Sequence, residues 1–134
     1  MIKALPVLAA LGFLANCTAT AGETKADTSL YELRTYHANE GKLDALLARF
    51  RNHTCKLFTK HGMTNVGYWV PAENTDNLLV YLMSYPDKES CDASWKAFMA
   101  DPDWKKAYSE STEDGKLVGK VDQIFMKPTD FSAG

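Results

Sequence analysis

The chain has 134 residues, with 15 Lys and Arg against 17 Asp and Glu and a formal net charge of −2. No basic stripe or polybasic tail runs along it, which argues against nucleic acid and against an anionic membrane surface as partners. The length allows one domain with one core and little more.

Lys3 supplies a basic start, and Ala4 to Ala15 is apolar apart from Pro6 and Gly12. This stretch is shorter than the ~20 residues that span a bilayer, so it reads as the apolar part of a signal peptide and not as a membrane span. Residues 1–21 are taken as that signal peptide, ending at the small-x-small site Ala19-Thr20-Ala21. Leu14-Ala15-Asn16-Cys17 competes with it as a lipobox, although Asn16 departs from the small residue expected before the cysteine. The expectation is an exported protein, periplasmic or secreted, or alternatively lipid-anchored in the envelope through Cys17. Removal of Lys3 leaves 14 basic and 17 acidic residues, a net charge near −3. Residues 22–29 are polar and aperiodic, a linker to a single domain over 30–132.

Leu30 to His37 reads as the first strand. Its alternation puts Glu32, Arg34 and Tyr36 on one face and Tyr31, Leu33 and Thr35 on the other. Asn39 is a plausible N-cap. Beyond it Leu43, Leu46, Leu47, Phe50, Thr54, Leu57 and Phe58 recur at helical spacing, which predicts a long helix over 40–61 closed by Gly62. Met63 to Val70 predicts a second strand, and the turn-rich Pro71 to Asn77 closes a hairpin onto Leu78–Tyr85. That third strand is nearly all apolar, as in a strand covered on both faces. A helix follows Pro86-Asp87, with Cys91, Trp95, Phe98 and Met99 inward. Asp101-Pro102 stops it and starts a short one, the aspartate as cap and the proline at the first position. Lys116 to Lys127 holds the last strand.

The order β-α-β-β-α-β is a ferredoxin-like arrangement in the α+β class. Helices cover one face of a four-stranded antiparallel sheet and leave the other face open. The open face carries large apolar residues, and such a patch marks an interface or a ligand site. A homodimer with sheets facing, enclosing a barrel-like cavity, is the expected assembly.

Four stretches together resemble the NIPSNAP family, a branch of the dimeric α+β barrel proteins. They are Tyr31-Glu32-Leu33-Arg34-Thr35-Tyr36, the long helix closing at Gly62, the run from Ser94 through Asp101-Pro102-Asp103-Trp104, and the ending Lys127-Pro128-Thr129-Asp130-Phe131-Ser132. The resemblance covers Leu30 to Ser132. It implies a sheet-lined cavity of the kind that related monooxygenases, haem-degrading enzymes, isomerases and cyclases use. It implies no agreed reaction, and fold analogy alone assigns no chemistry.

Glu32, Arg34 and Tyr36 are the candidate ligand-binding group, expected to face the cavity between sheets. Arg34 could pair with a carboxylate or phenolate, Tyr36 could donate a hydrogen bond, and Glu32 could act as a base if desolvated. Equally, Glu32 and Arg34 could serve each other or a cross-strand partner. Trp69 is the fourth candidate, although alternation leaves open whether Trp69 or Tyr68 faces the cavity. Trp95, Phe98 and Trp104 read as core. His37, His53 and His61 do not fall at metal-ligand spacing, so neither a metal nor another cofactor is expected. Cys55 and Cys91 are either a disulfide or two free thiols. The functional expectation is a binder of a small apolar or aromatic molecule of undetermined reaction. The alternative is a non-catalytic scaffold of the cell envelope.

Overall fold

A computed structural model describes residues 27–133. The signal peptide over 1–21, the alternative lipid site at Cys17 and most of the 22–29 linker lie outside the described residues. Strand β1 (Leu30–Ala38) leads into a long helical stretch of three parts: α1 (Leu43–Arg49), a π-helical segment (Phe50–Thr54) and α2 (Cys55–Lys60). Strands β2 (Thr64–Trp69) and β3 (Leu78–Tyr85) form a hairpin, followed by α3 (Lys88–Ala100), α4 (Pro102–Ser111) and β4 (Val118–Met126). The strands pair antiparallel in the order β2-β3-β1-β4.

The fold is α+β, but the sheet is open, which overturns the expected α+β barrel. Strands β2 and β4 are its two edges, kept apart by β3 and β1, and they do not pair with each other. Four strands are too few to curl into a closed wall; an interior just wide enough for side chains takes about eight. The chain also carries one helix, α4, beyond the β-α-β-β-α-β order.

The core lies between one face of the sheet and the helices. Leu46, Phe50, Leu57 and Phe58 from the long helix and Cys91 and Phe98 from α3 are buried against Leu79, Tyr81, Met83 and Tyr85 of β3. Strand β3 alternates strictly between buried and half-buried residues, so only one of its faces is covered. The apolar run predicted a strand covered on both, because Val80 and Leu82 are as apolar as their covered neighbours.

Local signals set most helix ends. Asp87 caps α3 by accepting from the Ser90 amide at 2.7 Å, and Asp101 caps α4 by accepting from the Asp103 amide at 2.8 Å with Pro102 at the first position. Gly62 closes α2 at φ +80°, a conformation glycine adopts without a Cβ clash. Asn39 is not the cap of the first helix, which begins at Leu43. Its amide donates instead to the Lys116 carbonyl at 2.9 Å, tying the turn after β1 to the segment before β4. Cys55 and Cys91 are both free thiols. Among the described residues, no helix is long and apolar enough to cross a membrane.

Candidate functional site

Glu32, Arg34 and Tyr36 do share one face of β1, but it is the face beneath the helices. Their cross-strand partners Met83, Tyr81 and Leu79 are the buried residues of β3. Tyr31, Leu33 and Thr35 therefore lie on the free side of the sheet. The polar set thus faces the helices and, contrary to expectation, does not look out between two sheets.

A charged residue sits in this core because its hydrogen-bonding capacity is filled. Glu32 is fully buried. Its Oε1 accepts from the Tyr85 hydroxyl at 2.6 Å and the Trp95 indole N–H at 3.0 Å. Its Oε2 accepts from Arg34 Nη1 at 2.9 Å and from the Gln123 amide. Carboxylate burial is tolerated only with such pairing. Burial, reinforced by the bond to Glu32, pushes the Tyr85 phenol well above its ordinary value, so Tyr85 stays a donor.

Arg34 is held by that carboxylate and by Trp95, whose ring centre lies 4.4 Å from its Cζ. A desolvated cation–π contact of this kind contributes up to about 2 kcal/mol. Burial works against the Arg34 charge, yet the oxygens of Tyr81, Tyr36 and Glu32 outweigh it and hold the guanidinium above its usual value. Arg34 Nη2 also reaches the Tyr36 hydroxyl at 3.4 Å. Tyr36 stands edge-on to Phe50 and Tyr81, with centroids 5.7 and 5.2 Å away.

The long helix widens at Phe50–Thr54. Such π-helical turns recur at functional sites. Arg49, which precedes this turn, is only 6% exposed, and no carboxylate lies within 4 Å of it among the described residues. Its guanidinium rests near the rings of Trp104 and Tyr108, at 5.2 and 5.4 Å. Among the described residues its one side-chain hydrogen bond runs from Nη1 to Ser111 Oγ at 3.2 Å. Burial holds this guanidinium below its usual value.

Arg34 and Arg49 meet at a cavity of about 240 Å³ between the sheet and the helices. The sheet contributes Arg34, Tyr36, Val118 and Val121; the long helix contributes Arg49, Phe50, Thr54 and Phe58. Trp95, Phe98 and Met99 of α3, with Trp104 and Tyr108 of α4, complete the wall. The Nε atoms of both arginines are buried without a hydrogen-bond partner. An unsatisfied buried donor costs about 1–3 kcal/mol, so this chain keeps two costly donors beside one cavity.

Sequence reasoning does not single out Arg49. The available signal is its position three residues after Leu46 on the apolar stripe, where a charged side chain has no reason to be unless it reaches something. Trp69 stands apart from the cavity. It lies on the free face of β2, 54% exposed, its ring folded over Gly67. Tyr68 is the one beneath the helices, stacked on Tyr81 with centroids 5.1 Å apart.

The histidines are dispersed: His37 bonds Asp122, His61 bonds Asp101, and His53 is exposed. Two grooves of about 290 Å³ run between the long helix and α4, walled mainly by polar side chains. A hollow of about 540 Å³ opens between the free sheet face and the C-terminal tail. The aromatic cavity is the candidate site, because among the described residues it is where buried, unpartnered arginine donors accompany apolar walls.

Among solved structures, the chain resembles a NIPSNAP domain protein from Burkholderia xenovorans at 23% identity and a TM-score of 0.68, covering 78% of this chain and 99% of that one. A NIPSNAP-like domain protein from the same organism matches at 18% identity and 0.71, covering 81% and 91%. A NIPSNAP family protein of unknown function from Agrobacterium tumefaciens matches at 24% and 0.70, covering 81% and 95%. At these identities the likeness shows the fold. No curated protein matches the chain. The family model for NIPSNAP matches residues 31–133, and with most of its length so matched, the chain belongs to the NIPSNAP family.

Proposed function

We propose that this protein binds a small, largely apolar or aromatic molecule in the cavity between its sheet and its helices. The observation that carries the reading is an enclosure of Tyr36, Phe50, Trp95, Phe98, Trp104 and Tyr108 around two guanidinium groups with unpartnered Nε atoms. A cavity of about 150 Å³ in another protein accepts benzene. The 240 Å³ here has room for one ring with a short substituent. In this reading Arg34 and Tyr36 face the ligand, and Glu32 positions Arg34 from behind. Val121 lines the cavity yet is 43% exposed, so a larger side chain there fills the space without disturbing the core. Val121→Trp should keep the melting temperature and abolish the thermal stabilisation that single-ring aromatic compounds give the unchanged protein. Stabilisation undiminished in Val121→Trp removes the cavity from consideration.

A second reading, self-association as a homodimer or scaffold, has its own support. Val66, Trp69 and Ile124 are 45%, 54% and 56% exposed on or beside the free sheet face. Half-buried Val80 and Leu82 of β3 and Leu33 of β1 lie between these edge residues on the same face. An apolar face of this kind marks a contact surface, and Trp69 belongs to this reading and not to the cavity. We also infer export, soluble or anchored at Cys17, from the leader sequence alone. Intact mass of the protein purified from its own host's membrane and soluble fractions tests that inference.

A further inference from the structure

We propose that the cavity takes a monoanionic aromatic carboxylate, with Arg49 as the residue that grips its carboxylate. The proposal rests on the cavity being a binding site and adds the charge and head group of the ligand. Arg34 is mostly engaged: Nη1 is bound to Glu32, Nη2 reaches Tyr36, and the Glu32 carboxylate offsets its charge, so only its Nε is without a partner. Arg49 has no such offset. Glu110, on the groove behind it, pairs with Lys106 Nζ at 3.7 Å. With Nη1 on Ser111, the side-on edge of Arg49 formed by Nε and Nη2 has no partner among the described residues.

That edge presents two parallel N–H groups, the fork that matches a carboxylate bidentately. The cavity thus carries one uncompensated positive charge, which suits a monoanion better than a phosphate dianion. Trp104 and Tyr108, already against Arg49, and Phe98, 4.6 Å from Trp104 between ring centroids, offer the apolar wall that an attached ring needs. Binding such an acid would satisfy the Arg49 Nε donor and neutralise a buried charge in one step.

The test compares acids with their neutral, nearly isosteric amides: cinnamate against cinnamamide, and hydrocinnamate against hydrocinnamamide, by titration calorimetry on the purified protein. In each pair the acid should bind about tenfold tighter or more, as expected for added charge-assisted hydrogen bonds. Arg49→Gln should bring the acid down to the level of its amide, and Arg49→Lys should keep part of the preference. Acid and amide binding equally to the unchanged protein overturns the carboxylate assignment while leaving the cavity reading intact. A preference that survives in Arg49→Gln moves the grip away from Arg49 and overturns the proposal as well. If neither member of either pair binds at millimolar concentration, the cavity reading falls and this inference with it.

Discussion

The Thr54 hydroxyl donates to the Arg49 carbonyl, 3.4 Å away and five residues back along the helix. Within an α-helix a hydroxyl reaches back three or four residues, so this bond depends on the π-helical widening between the two. Thr54 is buried and borders the cavity. Replacing Thr54→Val keeps the shape and removes the bond, and should cost about 1 kcal/mol. Chemical denaturation with an unchanged m-value checks it; a variant as stable as the parent would mean the hydroxyl does not support the widened turn.

The Glu32–Arg34 pair should behave as a buried unit. Glu32→Gln leaves the guanidinium facing a neutral amide and should destabilise by about 3 kcal/mol, the low end for a broken buried pair because Arg34 keeps some contact with solvent. Arg34→Met should cost less, since Tyr85, Trp95 and Gln123 still serve the carboxylate. The double variant should recover part of the combined loss. Strict additivity in this cycle would show that the two residues are not energetically coupled.

These two cases show what the sequence makes legible. Alternation along β1 groups Glu32, Arg34 and Tyr36 correctly, yet a period of two cannot say which group is covered. The choice was made by partners remote in sequence: Tyr85 on β3, Trp95 on α3 and Gln123 on β4 together satisfy Glu32, so the charged face could go inside. Helical spacing likewise finds Leu46, Phe50, Thr54 and Phe58, and Gly62 marks the end. It cannot see the π-helical turn, because the four-residue spacing of Leu46, Phe50, Thr54 and Phe58 suits a widened turn about as well as an α-helical one. Arg49 falls on that stripe three residues after Leu46, but spacing alone does not tell a buried arginine from one whose charged end reaches solvent. Barrel closure was beyond reach too, since it depends on what the edge strands β2 and β4 meet and not on their composition.

Asp101 gives the protein an acid-sensitive contact. Its Oδ2 accepts from His61 Nε2 at 2.6 Å and Lys60 Nζ at 2.8 Å, joining the end of α2 to the start of α4. The Lys60 bond, followed by the His61 bond and the Asp103 amide, holds this carboxyl far below its ordinary range. A depressed carboxyl binds fewer protons in the folded state than in the unfolded chain. Its stabilisation is therefore complete above the usual Asp value of about 3.9 and is lost as the pH falls below it. Asp101→Asn should lower the melting temperature at neutral pH and flatten the decline below about pH 4. Parallel curves for the two proteins across that range would show that the contact contributes nothing to acid sensitivity.

Ile124 offers the cleanest test of self-association. It is 56% exposed on the free sheet face and contributes nothing to the core. Ile124→Glu should leave the melting temperature of the monomer unchanged while lowering the mass measured by light scattering, if the parent is a dimer. A monomeric parent at micromolar concentration would end the homodimer proposal outright.

Trp95 is coupled to charge on two sides at once: its N–H edge to the Glu32 carboxylate and its face to the Arg34 guanidinium. Indole emission responds to charges placed against the ring, so anything that moves Arg34 within the cavity alters the fluorescence of this residue. Trp69, on the opposite side of the sheet, is insulated from that event and provides an internal reference. The protein thus carries its own optical reporter of cavity occupancy, and unlabelled material is sufficient to screen for the molecule it holds.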